Sequence, residues 1–242
     1  MARKIKVDNA FLKRLERQEI KRTKERISKR RYYLIVCEGT KTEPNYFKSL
    51  KQELPKGVVT ACQIDIEGAG RNTLTLLDEA LRLKSEYEKN SGREIDKLWV
   101  VFDRDSFEPN DFNNAINRCD TLKPVIGCAW SNEAFELWYL LHFHFYNNAI
   151  SRKDYQDLIE ANFKAKGLKD YVYRKNSEEM FQLLEKYGSR ADALRNADTL
   201  DKRYDSKDFA NQNPCTMVYK LVAELFGLED ELKKEDKTAQ VK

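Results

Sequence analysis

Residues 97–102 read KLWVVF, an apolar run unbroken by any turn residue. The run is short for a buried helix and lacks polar alternation. It belongs in a strand covered on both faces, as in a parallel sheet with helices on either side. Residues 32–36 (YYLIV), 58–67 (VVTACQIDIE) and 124–130 (PVIGCAW) predict three further strands. Helical patterns separate them over 43–54, 74–88 and 111–119, and another follows over 133–143. Pro44 suits a first helical turn, Asn72 an N-cap, Gly68-Ala69-Gly70 a turn and Gly92 a helix stop. Four alternations of strand and helix predict an α/β fold: a Rossmann-like open parallel sheet flanked by helices, with right-handed crossovers.

After residue 148 the strand signals stop. Helices are expected over 151–162, 177–187, 191–204 and 214–226, with starts at Ser151 and Ser177, and they pack on the sheet rather than forming a second domain. At the other end, residues 8–30 predict a helix with a thin apolar stripe. Residues 1–31 hold thirteen Lys/Arg and four Asp/Glu, so a basic arm precedes an acidic body. Such an arm binds nucleic acid or an acidic partner, or is a solvated surface helix. Its stripe over residues 10–27 also suits pairing into a homodimer. The division expected is an arm over 1–31, a sheet core over 32–148, a helical part over 149–228 and a charged tail over 229–242. No apolar run reaches membrane-spanning length and the N-terminus has no apolar leader, so a cytoplasmic protein is expected. The five cysteines form no C-x-x-C pair and read as small buried hydrophobes.

In open parallel sheets, ligands bind beyond the carboxyl ends of the strands. Strand one delivers Glu38 there, strand three Asp103-Arg104-Asp105, and strand four Ser131-Asn132-Glu133. Aspartates at i and i+2 on an extended segment face the same way. With Glu38 they make an oxygen-only cluster, suited to Mg²⁺ or Mn²⁺ rather than zinc. Gly39 permits a sharp turn and leaves Glu38 room to face a bulky anion. The competing reading of Asp103 and Asp105 is a capped turn. His142 and His144 diverge on a helix, and Trp138, Tyr139 and Leu140 read as core. Arg190, Arg195 and Asn213 are outlying candidates for the same site.

The segments CEGTKTEPNYF (37–47), VFDRDSF (101–107), SNEAFELWYLLHF (131–143) and NPCTMVYKLV (213–222) together resemble the RloB family, over about residues 31–226. Members of that family resemble Toprim nucleases and accompany restriction and phage-defence genes, often beside an ATPase. The resemblance implies a Toprim-like sheet and a role for each matching residue. Glu38 is similar to the Toprim glutamate, a general acid/base or metal contact. Asp103 and Asp105 look like the metal-binding aspartates. Glu43 stands where related nucleases carry a second acid; the alternative is a carboxylate favoured by the helix dipole. Lys41 either holds a phosphate or is solvated. Arg104, Ser131 and Asn132 are candidate substrate contacts, Ser131 and Asn132 alternatively orienting a carboxylate or capping the next helix; Glu133 or Glu136 would complete the metal shell or belong simply to the helix start.

Two functions follow. The first is a Mg²⁺- or Mn²⁺-dependent endonuclease of phage defence, acting on DNA, tRNA or another RNA with an ATPase partner. The second is a non-catalytic subunit that docks an ATPase or nucleic acid. Topoisomerases and primases need domains for which this chain has no room. A phospho-acceptor receiver would need paired acids on strand one and a single acceptor aspartate on strand three.

Overall fold

A computed structural model describes residues 31–55, 73–228 and the backbone of 58–63. The expected basic helix, the turn at 68–70, the Asn72 cap and the charged tail lie outside the described residues. Strands β1 (Arg31–Cys37), β2 (Val58–Gln63), β3 (Lys97–Asp103), β4 (Gly127–Asn132) and β5 (Cys215–Thr216) form one sheet in the order β2-β1-β3-β4-β5. The first four run parallel, and β5 pairs antiparallel to β4. Helices α1 (Thr42–Leu50), α2 (Thr73–Ser91) and α3 (Pro109–Thr121) alternate with the strands. Then follow α4 (Glu136–Leu140), α5 (Arg152–Ala165), α6 (Met180–Tyr187), α7 (Arg190–Asp201) and α8 (Val218–Phe226).

The central strands are buried along nearly their whole length: Tyr33 to Cys37 in β1 and Leu98 to Asp103 in β3. Helices on both faces demand such runs, because no face is left for polar alternation. Phe102, Phe107, Phe112 and Trp130 form one edge-to-face aromatic chain, and Tyr46, Phe47, Phe135 and Tyr139 form another. Trp138, Tyr139 and Leu140 are core, as expected. His142 is core too. Its Nδ1 lies 2.9 Å from the Trp138 carbonyl, and burial pushes its pKa down to about 4. Gly92 closes α2 in the left-handed region, φ 64°.

Several boundaries differ from the sequence expectation. Strands do not stop at 148. The pair Cys215–Thr216 adds an antiparallel edge, and a two-residue strand carries no periodicity to read. Strand four begins at Gly127 rather than 124, because Ile126 turns its N–H back to the Cys119 carbonyl at the end of α3. It continues through Ser131 and Asn132, which are therefore inside the sheet. The helix expected over 133–143 shrinks to Glu136–Leu140, since the Glu133 carbonyl is engaged by the Asp105 N–H. Ser151 does cap α5: its Oγ accepts from the Asp154 N–H while the Asp154 carboxylate accepts from the Ser151 N–H. Ser177 caps no helix. Its Oγ accepts from the Glu179 N–H, and α6 starts at Met180.

Strand order decides where a site forms. From β1 the chain moves outward to β2, then returns to the other side of β1 as β3. The connections leaving β1 and β3 therefore diverge at their carboxyl ends and open a crevice there. Residues 38 and 103 stand at that crevice.

Candidate active site

Beyond β1 and β3 lies a pocket of about 330 Å³ lined by residues 38–43, Asp103, Glu136, Arg152 and Lys175. Glu38 extends the β1–β3 ladder by one residue, its N–H donating to the Val101 carbonyl at 2.9 Å. Gly39 follows, and its reason is spatial. A Cβ there would stand 2.2 Å from Glu43 Oε2. The bare glycine lets the Glu43 carboxylate fold against the turn. Glu43 itself lies in the first turn of α1.

Three pocket acids are almost completely buried: Glu43, Asp103 and Glu136 are 6%, 3% and 1% exposed. Burial pushes the Asp103 carboxyl well above its ordinary range, and the charges of Glu43, Glu136 and Asp105 push it further while Arg152 opposes. Glu43 is also raised, by burial first and by Glu136, against its own backbone N–H and Arg152. Asp103 Oδ1 is buried and has no hydrogen-bond partner among the described residues. Glu136 is held by Tyr173 Oη at 3.0 Å and Gln156 Nε2 at 3.1 Å, both on Oε1.

Arg152 bridges the acids. Its Nη2 donates to Asp103 Oδ2 at 2.6 Å and to Asp105 Oδ1 at 3.0 Å, and its Nε lies 3.5 Å from Glu136 Oε2. Burial works against the guanidinium charge, and Asp103, Glu136, Asp105 and Glu43 outweigh it, so its pKa is raised. Lys175 arrives on a strap clamped by the polar face of α1. Thr42 Oγ1, Asn45 Nδ2 and Ser49 Oγ donate to the carbonyls of Lys175, Asn176 and Glu178 at 3.0, 3.0 and 2.6 Å.

Of the residues singled out in the sequence, Glu38, Lys41, Glu43, Asp103 and Glu136 line this pocket. Asp105 joins through Arg152, not through strand alternation, because β3 ends at Asp103 and residues 104–106 form a 3-10 turn. Arg104 turns away, donating to the Phe107 carbonyl with its guanidinium 6.0 Å from the Phe112 ring centre. Ser131 and Asn132 are buried structural residues. Ser131 Oγ is 2.9 Å from Thr216 Oγ1, and Asn132 Nδ2 donates to the Ala210 carbonyl at 2.9 Å. These side chains secure β5 and its approach to β4. Glu133 contributes its carbonyl to Asp105 and does not line the pocket. Arg190 pairs with Glu185 over the Phe226 ring, and Arg195 pairs with Asp192. Sequence reading missed Arg152, Tyr173 and Lys175. The one available signal was the Ser151–Asp154 capping pattern, which places a cation at the first position of a helix, where the dipole disfavours it.

The donors are hard oxygens on acidic side chains, the type that takes Mg²⁺ or Mn²⁺. Asp103 Oδ1 is buried without a partner, and burial raises the Asp103 and Glu43 carboxyls, so the chemistry of the donor set suits a divalent ion that would compensate their desolvation. Among the described residues, no three carboxylate, imidazole or thiol side chains are grouped to hold one ion in this arrangement. Arg152 supplies the cation instead. A family model described as RloB-like protein matches residues 33–225, and the chain belongs to that family. No curated protein and no solved structure matches it. No described helix is long and apolar enough to cross a membrane.

Proposed function

We propose that this chain is a Toprim-like, metal-dependent nuclease that hydrolyses phosphodiester bonds in DNA or RNA. The observation that supports it most is the pocket itself. Glu38 and Asp103, on adjacent parallel strands at the point where the chain reverses direction across the sheet, meet Glu43 and Glu136 there, and Asp103 Oδ1 is left unpartnered. Asp103, Glu136 and Glu43, with Glu38 and Asp105 at the margin, would hold Mg²⁺ or Mn²⁺. When bound, the ion would supply Lewis-acid neutralisation of charge on the phosphate and on the oxygen that leaves as the P–O bond breaks. Glu38, less buried than the other pocket acids, takes the proton of the attacking water at its carboxylate. Lys41 and Lys175, which also line the pocket, bind non-bridging phosphate oxygens. Tyr173 and Gln156 fix the Glu136 carboxylate so that it does not follow the substrate.

Family likeness extends the reading to bacterial phage defence in the cytoplasm, with an ATPase as partner. Incubation of the purified protein with plasmid, single-stranded DNA and total tRNA, in Mg²⁺, Mn²⁺ or EDTA, tests it. Cleavage in metal, absent in EDTA and in Asp103→Asn, is the expected result. If defence in cells survives Asp103→Asn, the catalytic reading is wrong.

A second reading is favoured by one feature. Arg152 already neutralises the acids, as in a structural ion-pair network. The chain would then be a non-catalytic subunit docking an ATPase or nucleic acid. Full defence by the Asp103→Asn protein is its signature.

A further inference from the structure

Arg152 occupies an unfavourable place. It is the first residue of α5, where the positive end of the helix dipole repels a cation. Its side chain is about three-quarters buried, which adds desolvation. A surface arginine would avoid both. It stays because Asp103, Asp105 and Glu136 surround it, and these are the acids on which an ion would sit. The guanidinium is nevertheless not fully used: Nε is buried without a hydrogen bond. Lys41 and Lys175 line the same pocket.

We propose that Arg152 is a substrate-phosphate ligand of this pocket, held until metal arrives by the carboxylates that take the metal. The inference rests on the nuclease reading above and deepens it. Arg152 Nη2 donates to both Asp103 and Asp105. A divalent ion and a guanidinium compete for the same carboxylate oxygens, since each needs their negative charge. When Asp103 is taken, Arg152 loses its shortest contact while remaining anchored by the Ser151–Asp154 cap at the pocket wall. A planar fork with free N–H donors is then left in the pocket that Lys41 and Lys175 also line, and a phosphate is an anion that fits such a fork. The exchange couples the two ligands. Metal loading frees the phosphate donor, and phosphate binding keeps that donor from returning to compete with the metal.

Arg152→Gln removes the charge and retains a polar side chain. Titrating Mn²⁺ alone into the full chain by calorimetry, at neutral pH, gives the first readout. The variant is expected to bind Mn²⁺ about tenfold tighter or more, because a cation no longer competes at a poorly screened site. The second readout is binding of a single-stranded oligonucleotide with Ca²⁺ present, followed by fluorescence anisotropy across a salt series. Affinity falls, and the slope of log K against log salt becomes shallower by about 0.7, the loss of one phosphate contact on a single strand. Arg152→Lys keeps the charge without the fork. It retains wild-type Mn²⁺ affinity and recovers part of the oligonucleotide binding, so it also serves if the glutamine variant fails to fold. Unchanged or weaker Mn²⁺ binding by Arg152→Gln, or an unchanged salt slope, overturns the proposal alone. Mn²⁺ binding absent from wild type, or unaffected by Asp103→Asn, overturns the nuclease reading with it.

Discussion

The two ends of the central strands are built on opposite principles. Around the amino-terminal ends of β3 and β4 lies a cleft of about 390 Å³ with an apolar floor of Trp99, Ile116, Ile126, Trp130 and Met217. Both of its lysines are paired: Lys97 with Glu224 at 3.2 Å and Lys220 with Asp201 at 2.9 Å. At the carboxyl end, the floor is acidic, buried and only partly neutralised. Burying carboxylates costs free energy unless each is fully partnered. The amino-end cleft follows the rules of stability, and the carboxyl-end pocket breaks them. In a chain otherwise consistent from local pattern to packing, that breach is what the proposed nuclease reading would account for.

Two glycines separate the regions most sharply. Gly127→Ala would place a Cβ 2.2 Å from the buried Trp99 ring, a bulky rigid side chain that must shift to admit it. The expected cost is about 1–3 kcal/mol of stability by denaturant unfolding, with cleavage per folded molecule unchanged. Gly39→Ala meets the flexible end of Glu43 instead, so the carboxylate moves and the fold survives. Cleavage falls by roughly 10–100-fold with little change in unfolding midpoint, as for the loss of an orienting contact. If Gly39→Ala unfolds the protein, or Gly127→Ala spares it while abolishing cleavage, the division fails.

Smaller effects sharpen the contrast. Tyr173→Phe removes the hydroxyl from Glu136 Oε1. A reduction in cleavage of about tenfold is expected, the loss of one hydrogen bond to a charged group. At the other end, Lys97→Ala breaks an ion pair whose lysine side chain is 52% exposed. Its effect should stay within about 0.5 kcal/mol, with no change in cleavage. A larger loss would show that the amino-end cleft depends on its charges after all.

The same contrast explains what was legible in the sequence. Strands β1 and β3 were, because burial on both faces leaves an unbroken apolar run. Glu38 and Asp103 were, because a strand end fixes where its next residue points. Arg152, Tyr173 and Lys175 were not. They come from a helix start and a strap whose polar residues look like ordinary surface, and only tertiary clamping by Thr42, Asn45 and Ser49 brings the strap over the pocket. Ser131 and Asn132 misled for the converse reason. Polar residues at a strand end resemble ligands until a two-residue partner strand covers them.

The central claim is that the strand-end acids are kept for binding, against stability. Thermal unfolding of wild type and Asp103→Asn, with and without Mn²⁺ across pH, tests it most directly. Asp103 in the fold has its pKa raised, chiefly by burial, so between its ordinary and its raised value the folded state holds more protons than the unfolded state. Stability from this group therefore falls as pH rises through that window. In EDTA at alkaline pH, Asp103→Asn should melt a few degrees above wild type, and the gain should shrink on acidification. Mn²⁺ should raise the wild-type melting temperature and leave the variant unmoved. A variant less stable than wild type at every pH, with Mn²⁺ without effect on either protein, would contradict the account and make the acids part of the scaffold.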